Sequence, residues 1–163
     1  MLIKLKNKDQ LILDDFTFKC AIGKNNIKSK KKEGDKSTPR GTFSLGKVYY
    51  RADKVKKPKS KLGARIIKKN MGWCDDPLVK TYNKEIKIPS ENKHEKLFKK
   101  DGSYDYFIVI NYNTKKIVRY KGSAIFLHLT KNYRPTAGCI AVTKKDFLII
   151  LKLINKKTQI KIF

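Results

Sequence analysis

The chain has 163 residues, 40% of them hydrophobic and 10% aromatic, which excludes disorder and leads to the expectation of one globular domain over 1–163. Forty basic against 14 acidic residues give a net charge of +26, a field that would draw nucleic acid or an anionic polymer. Only Arg40, Arg51, Arg65, Arg119 and Arg134 are arginine, however, and the lysines are scattered through every segment with no recognition module. Drift of composition towards Lys, Ile and Asn accounts for the charge better, so nucleic acid is not the expected partner.

Three cysteines without a CxxC pair argue against a disulfide framework, and two histidines without ligand spacing argue against structural zinc. No metal or cofactor is expected. Residues 1–8 lack an apolar signal core, and no run approaches membrane-spanning length. The expectation is a cytoplasmic monomer with no membrane span, unless the chain is a trimmed exported protein.

In chain order, residues 2–5 and 11–13 predict an opening hairpin around Asn7 and Asp9. Phe16, Phe18, Cys20 and Ile22 alternate with Thr17, Lys19 and Ala21, a half-buried strand that puts Cys20 in the core. Residues 23–36 read as a basic loop, with the lysine run 28–32 solvated. A turn at Thr38, Pro39, Arg40 and Gly41 leads into a strand from Phe43 towards Tyr50. Residues 51–60, rich in lysine, read as a surface insertion.

The stretch Met71, Gly72, Trp73, Cys74, Asp75, Asp76, Pro77 has two readings. It forms an Asx-type turn beside a packed ring, or it builds a pocket. In the second reading Trp73 is a wall, Asp75 or Asp76 binds a substrate ammonium, and Tyr82 and Asn83 give support; Asp76 is the one assigned to substrate. Residues 90–98 predict a short amphipathic helix with Ser90 as N-cap and His94 on the surface. Residues 104–112 predict a strand. A helix over 143–153 follows, capped by Thr143, with Phe147, Leu148, Leu151 and Ile154 along one side, and 159–163 form a last strand. The fold class is mainly β with small helices (α+β).

The richest chemistry lies between Gly122 and Val142. The apolar run ending at His128 fits a buried strand, with His128 sharing a face with Phe126 and Ala124, and Leu127 and Leu129 on the other. After a polar loop the chain returns through Pro135, Thr136, Ala137 and Gly138 into Cys139, Ile140, Ala141 and Val142. A hairpin-like return would bring the Cys139 sulfur to the His128 ring. A thiol is a poor nucleophile until an imidazole takes its proton. Gly138 allows a sharp turn, and the Gly138 and Cys139 amides form a candidate oxyanion hole with the Thr136 hydroxyl beside them. A buried core cysteine and a satisfied core histidine fit the same spacing.

His128, Pro135-Thr136, and Thr136 spaced before Gly138-Cys139 resemble the signature of the L,D-transpeptidase (YkuD/ErfK-type) catalytic domain. Thr38, Pro39, Gly41 and Thr42 resemble that family's strand entry, and the likeness runs over roughly 19–151. The resemblance implies a β-sandwich catalytic domain performing cysteine acyl transfer on peptidoglycan stem peptides or muropeptides. Cys139 would be the nucleophile, His128 its base, and the Leu129 carbonyl the group orienting the ring. Ala137 and Ala141 stand where the family usually has histidine and arginine, leaving Arg134 as the expected substitute partner for a substrate carboxylate. The acceptor would be an amine in a transpeptidase and water in an L,D-carboxypeptidase. The alternative is a lysine-rich binding module for nucleic acid or an anionic polymer. A papain-like hydrolase fits poorly, because here the histidine precedes the cysteine.

Overall fold

Alternating apolar side chains build the N-terminal part of the fold. In the computed structural model, which describes residues 1–29 and 31–163, β1 (Leu2–Lys6) and β2 (Gln10–Leu13) form the predicted hairpin. Asn7 and Lys8 adopt positive φ (50° and 65°) at its turn, as a tight hairpin requires. β3 (Phe16–Lys19) continues the meander on β2. The two-residue strands β4 (Ile27–Lys28) and β5 (Thr38–Pro39) pair in parallel and tie down the ends of the basic loop. Lys30, within that loop, lies outside the described residues.

β6 (Gly41–Tyr50) is the spine, with β7 (Ala64–Ile66) alongside it. β8 (Met71–Cys74) runs between β9 (Glu85–Lys87) and β10 (His94–Lys96) in a small three-stranded sheet. The chain then supplies β11 (Tyr106–Ile110), β12 (Phe126–Leu129), β13 (Ile140–Val142), α1 (Lys144–Leu153) and β14 (Gln159–Ile162). The long sheet runs β13-β12-β11-β6-β14-β1-β2-β3, with β7 on β6. The fold is mostly β, as expected.

Two predictions are corrected. Residues 90–98 do not form a helix: His94, Glu95 and Lys96 pair with Cys74, Trp73 and Gly72, and α1 is the only α-helix among the described residues. The segment holds just one neighbouring apolar pair, Leu97 and Phe98, so it has no stripe for a helix to bury. Ser90 accepts from Asn92 N in a local turn instead of capping a helix. Second, the return into Cys139 is not a hairpin. β12 and β13 are parallel, so the connection runs back the length of the strand before pairing begins.

Around α1 the sequence reading is close to the structure. Thr143 Oγ1 accepts from Asp146 N at 3.2 Å, and Asp146 in the first turn complements the helix dipole. The buried stripe is Phe147, Ile150, Leu151 and Ile154, with Leu148 at its flank instead of Ile150. Among the described residues no helix is long and apolar enough to cross a membrane.

Two apolar clusters fill the interior. The larger joins β1, β2, the inner face of β6 and α1, with Ile3, Leu11, Val48, Ile108, Leu127 and Phe147 fully buried. The smaller is aromatic and lies under the three-stranded sheet: Tyr49, Trp73, Tyr104, Phe107 and Phe126, with Cys139 among them. β12 serves both, since Leu127 and Leu129 point into the first and Phe126 into the second.

Candidate active site

The site is built where β12 and β13 lie side by side. Leu127, His128 and Leu129 register with Ile140, Ala141 and Val142. Alternation then puts Cys139, two residues before Ala141, on the His128 and Phe126 face. Both line one cleft of about 810 Å³, together with Tyr104, Asp75, Glu95 and Lys99.

The Cys139 thiol is 8% exposed and sits in a backbone cradle. It donates to Ala124 O at 3.2 Å and accepts from Phe126 N at 3.4 Å. Burial, with Glu95 adding to it, pushes the thiol up to about 12; the Phe126 amide, Lys99 and Lys31 oppose this. Burial also pushes His128 below its ordinary value. His128 Nδ1 lies 2.9 Å from the Leu129 carbonyl. A carbonyl only accepts, so Nδ1 carries the proton and the neutral ring keeps a lone pair on Nε2. The Leu129 backbone is itself fixed by its N–H bond to Ser103 O at 3.0 Å, and the Tyr104 ring meets the imidazole edge-on at 5.4 Å.

Ala124 takes positive φ (52°), a conformation costly for a side-chain-bearing residue. Asn83 supports it: Oδ1 accepts from both Ala124 N and Trp73 Nε1 at 3.0 Å, while Nδ2 donates to Tyr112 O and Asn113 O. Asn83 therefore supports the backbone under the thiol and not the expected Trp73-walled pocket. Trp73 does not form a wall of the cleft. It is 7% exposed and packs edge-to-face on Phe126 at 5.1 Å, beneath the site. Asp76 is corrected as well, because its Oδ1 accepts from Leu78 N at 3.0 Å in an Asx turn away from the cleft. Its neighbour Asp75 lines the cleft, with a buried Oδ1 that has no partner among the described residues. Burial, then Glu33 and Glu95, raise the Asp75 carboxyl above its usual range.

The turn before Cys139 is held by its own side chains. Thr136 Oγ1 donates to Cys139 O at 2.6 Å and accepts from Gly138 N at 3.1 Å, while Thr38 Oγ1 donates to Gly138 O at 2.9 Å. Thr136 and the Gly138 amide thus shape the turn instead of facing a substrate oxygen. Gly138 has φ +137°, and a Cβ there would sit 2.8 Å from Ser37 O. Arg134 is exposed at the rim of the cleft. Ala141 is buried and exchanges backbone bonds with Ala21. Cys74, fully buried beside Thr81, does not line the cleft.

Sequence reasoning missed Lys31, Glu33, Glu95, Lys99 and Tyr104, all of which reach the cleft. Lys31 and Glu33 were hidden in a loop read as solvated. The available signal was Asp35, four residues after Lys31, which pairs with it at 2.7 Å.

A thiol and an imidazole presented from neighbouring strands of a mostly β fold define a class of candidate acyl-transfer domain. The model of the YkuD family, the L,D-transpeptidase catalytic domain, matches residues 3–162, and the chain belongs to that family. The crystal structure of the helical cell shape determining protein Pgp2 from Campylobacter jejuni is similar in fold, with TM-score 0.51 and 16% sequence identity. That match covers 99% of this chain and 46% of the other, so this chain spans under half of that one's length. Among curated proteins, none matches this sequence.

Proposed function

We propose that the protein is a cysteine acyl-transfer enzyme that cleaves peptidoglycan stem peptides between an L-configured centre and a terminal D-residue. The observation that carries this reading is the thiol–imidazole pair on one cleft, with the ring held by the Leu129 carbonyl and Nε2 available as base. At rest the thiol is protonated and the imidazole neutral, so deprotonation accompanies attack.

Cys139 Sγ bonds to the substrate carbonyl carbon as its proton passes to His128 Nε2. The Cys139 amide meets the developing oxyanion. Collapse breaks the C–N bond, the imidazolium returns its proton to the leaving amine, and a thioester remains. Water then attacks that thioester while His128 takes its proton, and the tripeptide leaves as the protonated thiol is restored. An amine in place of water would give a crosslink or exchange product. Asp75, whose buried Oδ1 has no partner among the described residues, faces the side-chain ammonium of the substrate's diamino acid. No metal or cofactor enters this chemistry.

We further propose a cytoplasmic monomer with water as acceptor, an L,D-carboxypeptidase acting on soluble muropeptides, because no polymeric wall is present in that compartment. Mass spectrometry of the protein with disaccharide-tetrapeptide, with and without a D-amino acid and beside Cys139→Ala, tests the reading. Tripeptide that disappears in the variant supports the carboxypeptidase, and exchange products would reassign the acceptor. Equal inertness of both proteins would sink the stem-peptide assignment and favour a binding role for the basic surface.

A further inference from the structure

Lys31 is 4% exposed, although it belongs to a run of lysines on a basic loop. Burying an ammonium is costly unless it is paired, and Asp35 supplies the pair at 2.7 Å. Asp35 is itself committed: Oδ1 also accepts from Ser37 N and Oδ2 from Lys32 N, and against the opposing effect of burial the Lys31 bond, then these, hold its carboxyl well below the usual range. Among the described residues, Lys31 Nζ has two acceptors, Asp35 and, at 3.4 Å, the Lys32 carbonyl. An ammonium has three N–H donors, so one is left for the cleft that Lys31 lines.

Two glycines from distant parts of the chain make room for this side chain. A Cβ on Gly122 would stand 2.7 Å from Lys31 Cε, and one on Gly138 would stand 3.6 Å from Nζ. The charge is therefore seated at the turn directly preceding Cys139. Lys31 and Cys139 line the same cleft, and the backbone against which the ammonium is seated, at Gly138, is one residue from the nucleophile. In a peptide cleaved at its last bond, the terminal carboxylate also lies one residue from the attacked carbonyl. Arg134, by contrast, is exposed at the rim.

We propose that Lys31, fixed by Asp35 and seated between Gly122 and Gly138, binds the terminal carboxylate of the leaving D-residue and so restricts the enzyme to the free C-terminal end. This rests on the stem-peptide reading above and names its specificity-determining residue.

Binding of a stem tetrapeptide and of its C-terminal carboxamide is compared by calorimetry on Cys139→Ala, with and without Lys31→Met. The free acid is expected to bind about 10- to 100-fold more tightly, the range of a charge-assisted hydrogen bond, and Lys31→Met to erase that preference. Lys31→Arg retains most of it. Equal binding of acid and amide in the parent, or a preference that survives Lys31→Met but falls with Arg134→Ala, overturns the assignment. Should Lys31→Met fail to fold, carbodiimide coupling of the tetrapeptide to Cys139→Ala replaces it. An adduct mapped to Lys31 supports the proposal, and one on Lys36, Lys99 or another lysine overturns it. Turnover by the unmodified enzyme separates the two claims. A Lys31-dependent preference without turnover removes only the catalytic reading, whereas turnover without that preference removes only the role of Lys31.

Discussion

The two faces of the long sheet hold different kinds of interior. On one, α1 closes over aliphatic side chains such as Ile3, Leu127 and Ile150. On the other, aromatic rings support a thiol and an imidazole at the floor of an open cleft. One strand, β12, feeds both faces through simple alternation. The difference shows how stability and chemistry are divided: the closed face anchors the strand whose opposite face carries the reactive groups.

The sharpest way to test that division is to remove the thiol. Cys139→Ala should lower turnover by about 10⁴-fold or more while the melting temperature stays near that of the parent, measured by muropeptide assay and calorimetry. His128→Gln comes next, with a loss of about 10²- to 10⁴-fold. Because burial lowers the His128 pKa, kcat/KM of the parent should rise with pH through a value below about 6.5 and then stay level to at least pH 9. A half-maximal point above 7 would contradict the buried neutral base.

On the closed face, Phe147→Ala should cost about 3–5 kcal/mol in denaturant unfolding. The surviving folded fraction should keep its KM, whereas Phe126→Ala, under the thiol, should impair both stability and turnover. Asp75→Asn should raise KM by about tenfold for a substrate with a free side-chain amine and leave an acylated one unchanged. The smallest effect is expected of Thr143→Ala, about 1 kcal/mol of stability from the lost cap, with activity intact.

The closed face was the more legible in the sequence. Alternation at Phe16–Ile22 and the stripe from Phe147 to Ile154 are local periodicities; the structure buries Phe18, Cys20 and Ile22 but leaves Phe16 exposed at the sheet's end, and it puts Ile150 in the stripe in place of the expected Leu148. His128 and Cys139 were legible for another reason, since the residues around them resemble a catalytic signature. The parallel pairing of β12 and β13 was not, because a ten-residue polar connection looks alike whether it turns back or runs back before pairing. Asp75 and Asp76 are adjacent and chemically identical; only the Asx turn, which uses Asp76, decides which faces the cleft. Lys31 was hidden because its burial depends on Gly122 and Gly138, roughly a hundred residues away in sequence.

The protonated state of the buried Cys139 thiol has a consequence for chemical durability. Oxidation to the sulfenic acid and alkylation by general electrophiles both proceed through the thiolate, which this cradle keeps scarce. Peroxide and simple iodoacetamide should therefore modify Cys139 slowly. A reagent whose carbonyl settles in the cleft beside His128 would recruit the base and react fast. Under the mechanism proposed above, the same burial that demands a partner for catalysis would favour inhibitors shaped like the substrate.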